Sequence, residues 1–166
     1  MVLATKAALG KKNGDRFDEL PHSKLSVRLW LRLLSCSTII EKNIRSYLES
    51  EFEATLPRFD VLAALDRYPE GLKMGELSSH LYMSNGNVTG LVSRLAGDGL
   101  VTRITSEKDR RAQHVKLTPR GKRLFSRMAK EHEAFIESLL GGLSDAKMKR
   151  LIAGLNEVHS MVQKRL

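Results

Sequence analysis

Little in this sequence invites covalent or metal chemistry. There is one cysteine, Cys36, so an intrachain disulfide is impossible. The five histidines, His22, His80, His114, His132 and His159, never fall three or four residues apart. With no Cys–His cluster beside them, a zinc site has no support, and neither a metal nor another cofactor is expected. No Gly-x-Gly-x-x-Gly, no phosphate-loop Gly-Lys-Ser/Thr pair and no Gly-x-Ser-x-Gly elbow occurs. Glu131 and Glu133, on either side of His132, read as ordinary helix surface. These absences argue against an enzyme. Apolar runs are too short for a membrane span. The N-terminal stretch MVLATKAALGKKNG is interrupted by Lys6 and lacks the apolar core of a secretory signal. A cytoplasmic location is the expectation. Prolines are scarce as well, and each of the four (Pro21, Pro57, Pro69 and Pro119) falls at an expected helix boundary.

What is abundant is positive charge, and it is concentrated. The net charge is +9 over 166 residues, enough chain for one domain or one with an extension. Residues 1–93 carry 12 basic and 11 acidic side chains, and residues 131–166 carry five of each. Residues 94–130 carry 11 basic and 3 acidic, so nearly all the excess sits in one segment. A run of charge is often only a solvated face. One this localised, beside the pattern described next, favours a phosphate-binding surface.

Residues 84–117 read as helix, strand, basic loop and strand. Ser84 and Asn85 can cap a first turn. Val88, Leu91, Val92 and Leu95 then recur at three- and four-residue steps, an apolar helical stripe. Gly97-Asp98-Gly99 ends that helix. Residues 100–104 are short and β-branched, with Val101 and Arg103 on one face; residues 105–111 form a polar loop, and residues 112–117 alternate again. Upstream, residues 75–81 form a short helix with Leu77 and Leu81 on its buried side, and Tyr82-Met83-Ser84 is a tight turn. This is the layout of a winged helix-turn-helix, whose second helix enters the major groove with its N-terminal residues nearest the base edges. Here those are Ser84, Asn85, Asn87 and Thr89, all able to hydrogen-bond bases or phosphates. Gly86 and Gly90 in that helix serve either close approach to DNA or close helix–helix packing.

The fold class expected is mainly α: a winged helix-turn-helix with long helices at both ends. Residues 1–22 lack periodicity and form a loose arm. Pro21-His22-Ser23 opens a helix striped by Leu25, Leu29, Leu33, Ile40, Ile44 and Leu48 and widened by Trp30, Leu34 and Tyr47. Pro57 starts the next, with Phe59, Leu62, Ala63 and Leu65 inward, until Tyr68-Pro69-Glu70-Gly71 breaks it. After the wing, Thr118 caps a helix carrying Leu124, Met128, Phe135, Ile136, Leu139 and Leu140; Gly141-Gly142 ends it and Ser144-Asp145 caps the last. Met148, Leu151, Ile152, Leu155, Val158 and Val162 stripe that last helix. The organisation expected is thus a dimerisation helix over 23–54, a DNA-binding lobe over 55–118 and C-terminal dimerisation helices over 119–166. Stripes this long cannot all be buried on a lobe of roughly 60 residues, so a second copy of the chain is the natural partner.

Residues 23–165 resemble the MarR (multiple-antibiotic-resistance-type) family of transcriptional regulators. The resemblance is carried by Asn87-Val88-Thr89, Leu91-Val92-Ser93-Arg94-Leu95, Gly99-Leu100-Val101-x-Arg103, Asp109-Arg110-Arg111 and Leu117-Thr118-Pro119-x-Gly121. It implies a homodimeric, sequence-specific regulator, a repressor of the genes it controls, each lobe reading half of a pseudo-palindromic operator in double-stranded DNA. It further implies that Asp109 orders the wing by pairing with Arg94, that Arg110 or Arg111 reaches the minor groove, and that Lys108 and Arg103 join the DNA-facing set. Ser93 stands where an acidic residue is common.

The resemblance also implies a small-molecule effector lodged between dimer helices and lobe. The run 68–72 with residues 84–90 is similar to members governing hydroxycinnamate or benzoate breakdown, some answering to the aryl-CoA thioester. Arg28 and Arg32, four apart on the first long helix, with Trp30 as an aromatic wall beside them, are the candidate site for the carboxylate or CoA phosphate; the plainer reading is a solvated basic face with Trp30 as core. Cys36 reads as a small buried filler. Two alternatives to effector control are a peroxide sensor built on that cysteine and an architectural DNA-binding protein without a ligand.

Overall fold

A computed structural model describes residues 24–105 and 113–164. Along them run α1 (Leu25–Phe52), α2 (Leu56–Arg67), β1 (Leu72–Lys73), α3 (Met74–Leu81), α4 (Asn85–Gly97), β2 (Val101–Thr105), β3 (Gln113–Leu117), α5 (Pro119–Leu140) and α6 (Asp145–Gln163). The fold is mainly α, a winged helix-turn-helix with long helices at either end. Residues 1–22, assigned above to a loose arm, and the wing-tip residues Lys108, Asp109, Arg110 and Arg111 lie outside the described set.

The chain divides into two compact units, residues 1–47 and 48–166. In the first, α1 is held by its own backbone and by local side-chain bonds. Thr38 Oγ1 donates to the Leu34 carbonyl at 2.8 Å, and Arg45 pairs with Glu41 one turn earlier. Several of its apolar side chains are exposed, Leu25 at 66% and Trp30 at 59%, which corrects the reading of Trp30 as core. Cys36 is exposed too, which corrects the buried-filler expectation.

The second unit opens on the end of α1. Glu53 takes a left-handed φ of 50°, and the Ala54 N–H reaches back to the Leu48 carbonyl at 3.2 Å, a hydrogen-bonded stop for the helix. Thr55 occupies the N-cap of α2 with extended φ/ψ but makes no side-chain cap bond. Ser144 likewise sits at the N-cap of α6 without one, although it was read as a cap. Ser84 and Thr118 do cap: Ser84 Oγ accepts the Asn87 N–H at 3.4 Å and Thr118 Oγ1 the Gly121 N–H at 3.0 Å.

The core lies where α2, α3, α4 and the sheet meet. Leu48, Val61, Leu77, Val88, Val92, Leu95 and Val115 are all completely buried, and Leu62, Leu65 and Met128 nearly so. Each such side chain contributes about 1.5–3 kcal/mol of transfer free energy. Phe59 packs on Phe125 of α5, ring centroids 5.6 Å apart. Val61 and Phe125 were missed as core positions. The second lies between Leu124 and Met128, on a stripe broader than strict three-four spacing selects.

The sheet is antiparallel in the order β1-β3-β2. Val101 faces Leu117 and Arg103 faces Val115 across the wing, while Leu72 of β1 faces Val115 on the other side. Strand β1 escapes a sequence reading because two residues show no alternation. Gly71 turns the chain into it with φ of 88°, and a Cβ there would lie 2.7 Å from the Val115 carbonyl oxygen.

Candidate nucleic-acid interface

Recognition helix α4 has two unlike faces. Val88, Leu91, Val92 and Leu95 fix one in the core. The other presents Asn85, Gly86, Asn87, Thr89 and Gly90, all exposed. A Cβ added at Gly86 would meet nothing within 4 Å, and one at Gly90 only the Arg94 guanidinium at 4.0 Å. No helix of this chain packs against these glycines, so the helix–helix alternative drops out among the described residues. The first two turns of α4 offer bare backbone flanked by short polar side chains.

Local hydrogen bonds limit what those side chains offer. Thr89 Oγ1 donates to the Asn85 carbonyl at 2.7 Å, so its hydroxyl proton is committed within the helix. Ser84 is engaged as a cap, while Asn85 and Asn87 keep their amides exposed. Arg94 Nε donates to the Gly90 carbonyl at 3.3 Å, folding back along α4. Its expected partner Asp109 is not among the described residues.

The far end of α4 is clamped. Arg58 at the start of α2 pairs with Asp98, the C-cap of α4, at 2.6 Å. Thr118 Oγ1 donates to the Gly99 carbonyl at 2.7 Å, and the Thr118 N–H to Leu100 at 3.0 Å. Arg103 Nη2 donates to Ser93 Oγ at 2.9 Å, tying β2 to the helix. A hydroxyl thus takes the guanidinium where a carboxylate was the common expectation. The Arg58–Asp98 contact spans 40 positions of sequence, and no local pattern signals it.

Of the candidate residues, then, Ser84, Asn85, Asn87 and Thr89 gather at the bare end of α4, and Arg94 and Arg103 stand toward its clamped end. The effector candidates do not form one cluster. At about 100° per residue, Trp30 points some 160–200° around α1 from Arg28 and Arg32, so it is no aromatic wall beside them. Arg28 and Arg32 themselves share a face and are partly buried. Among the described residues no group of three or more His, Cys, Asp or Glu could hold a metal ion. No described helix is long and apolar enough to cross a membrane.

A clamped recognition helix with a bare leading end, followed by a two-stranded wing, defines a DNA-binding transcriptional regulator. Comparison with known proteins agrees. The sequence model of the MarR family matches residues 55–112. The transcriptional activatory protein BadR of Rhodopseudomonas palustris is 32% identical over 124 residues, 73% of this chain and 70% of that protein. The organic hydroperoxide resistance transcriptional regulator of Bacillus subtilis is 30% identical over 130 residues, 78% of this chain and 82% of its own. The crystal structure of a MarR family transcriptional regulator from Silicibacter pomeroyi superposes with a TM-score of 0.74 at 32% identity, covering 87% of this chain and 99% of that one. The chain belongs to the MarR family.

Proposed function

We propose that this protein is a homodimeric repressor that binds a pseudo-palindromic operator and releases it when a small aromatic acid, or its CoA thioester, is bound. The observation that carries the DNA reading is the bare first half of α4, with open space at Gly86 and Gly90 beside the exposed amides of Asn85 and Asn87. An Asn amide can bond an adenine edge through two atoms. Thr89, exposed beside them, carries a methyl group of the kind that contacts a thymine methyl. Arg94, Arg103, Lys108, Arg110 and Arg111 supply cations for phosphates and the minor groove, with Asp109 ordering the wing. Uncovered apolar side chains on α1 and α6 support the dimer. Arg28 and Arg32 offer an anionic effector two charge-assisted bonds, without Trp30.

A mobility-shift titration of the DNA upstream of the gene tests the reading. Log K should fall against log salt with a slope of about −6 to −9, and a slope shallower than about −3 would remove the case for a phosphate-dominated surface. Adding p-coumarate, ferulate, benzoate and their CoA thioesters should release the DNA for one of them, with the response weakened in Arg28→Ala or Arg32→Ala. If none releases it, effector control by aromatic acids fails while the DNA reading stands.

A second reading is favoured by the exposure of Cys36, namely peroxide sensing through its thiol, and a similar protein is named a hydroperoxide resistance regulator. Release by cumene hydroperoxide in the wild type, abolished in Cys36→Ser, would establish it; release that survives the substitution would end it.

A further inference from the structure

Tyr82, in the turn between α3 and α4, is 90% exposed, more than any other large hydrophobic side chain among the described residues. Its backbone is left-handed as well, with φ of 51°. Turns of this motif often hold glycine, which enters that region without a Cβ clash. The structural work done here belongs to the backbone: the Tyr82 N–H closes the end of α3 on the carbonyls of Ser78 and Ser79. Glycine would do that equally well. Among the described residues the ring stacks on nothing, and the hydroxyl has no hydrogen bond. The chain therefore tolerates both backbone strain and an aromatic ring in water at a position two residues ahead of the recognition-helix cap. Such strain gathers where a side chain is needed for function.

We propose that Tyr82 is a DNA-backbone contact, its ring lying along a deoxyribose and its hydroxyl donating to a phosphate oxygen. The inference rests on the DNA-binding reading above and adds a residue to it. Its surroundings select the ligand. The surface pocket that Tyr82 lines is shared with Glu76, Ser79, His80, Ser84 and Asn85, all polar and exposed. One aromatic ring in such a setting is not the apolar patch that a protein partner covers. A phenol amid polar groups at the mouth of a major-groove helix suits sugar and phosphate, to which Tyr is a recurrent donor. Being a backbone contact, it would position the recognition helix on the duplex without carrying sequence information.

Tyr82→Gly and Tyr82→Phe, measured on a random-sequence duplex and on the upstream DNA at one salt concentration, test this. Tyr82→Gly should leave the melting temperature equal or raised, because the turn relaxes, yet weaken both duplexes by the same factor, at least about 5-fold. Tyr82→Phe keeps the ring and should lose about 2–10-fold, the share of one hydrogen bond. Unchanged affinity in Tyr82→Gly would overturn the proposal. So would a loss confined to the upstream DNA, which would make Tyr82 a base reader, or a loss matched by a fall in melting temperature, which would make it structural. A wild-type chain that binds neither duplex would show instead that the DNA reading itself is wrong, and the proposal would fall with it.

Discussion

At the scale of single residues, His132 shows how a neighbour changes a side chain's chemistry. The flanking Glu131 and Glu133 are exposed, as a plain helix surface requires, but His132 points inward and its ring stacks on Phe59 at 4.7 Å. The sequence reading covered the two glutamates and left the histidine between them unassigned. Burial penalises the imidazolium, so the pKa is lowered from its ordinary 6.5. The unfolded chain then binds a proton more readily than the folded one. Stability attributable to this group is present above pH 6.5 and is lost as pH falls toward the lowered folded-state value. The melting temperature should accordingly drop on acidification through that range, and His132→Phe, which keeps a ring against Phe59, should flatten that part of the profile. Parallel wild-type and variant profiles would show that His132 is not the source.

At the scale of elements, the sequence was most legible where periodicity was strong. The stripe Val88, Leu91, Val92 and Leu95 matches the buried face of α4, and Gly99, with φ of 69°, turns the chain after it. Illegible were contacts closed across the chain: β1 against β3, and Arg58 with Asp98. Each depends on tertiary placement that no local window contains. The junction of α4, β2 and α5 is intermediate, since Thr118 was marked as a helix cap and Gly121 as part of the family pattern, but neither as a contact. In the structure α5 begins hard against the α4–β2 turn. A Cβ at Gly121 would collide with the Leu100 carbonyl oxygen, which is backbone and cannot swing aside. Gly121→Ala should therefore push α5 away from the recognition helix and cost about 1–3 kcal/mol, the range for overpacking. Chemical denaturation would measure it. Gly142→Ala, where a Cβ meets nothing within 4 Å, is the control. Equal stability of the two variants would mean that the close approach at Gly121 carries no weight.

At the scale of the whole molecule, the outstanding feature is apolar surface that one chain leaves in water. Helix α6 has no buried residue at all. Leu151, Ile152, Leu155 and Val162 are 55%, 57%, 49% and 52% exposed, and they lie on one stripe. Leu25, Leu29 and Ile39 of α1 are left similarly open. The buried core, by contrast, is built from Leu48, α2, α3, α4, the sheet and α5, and draws on none of these exposed side chains. Proposed homodimerisation and lobe stability are for that reason separable by mutation. Ile152→Glu combined with Leu155→Glu would set two carboxylates into the stripe, and an unpaired buried charge costs several kcal/mol. The variant should sediment as a monomer at concentrations where the wild type is a dimer, with its dimer dissociation constant raised at least about 100-fold. Operator affinity should fall with it, because two half-sites are no longer engaged by linked lobes. Melting of the lobe should stay cooperative. A double variant that remains dimeric, or a wild type that is monomeric at micromolar concentration, would show that something other than a second copy covers α6.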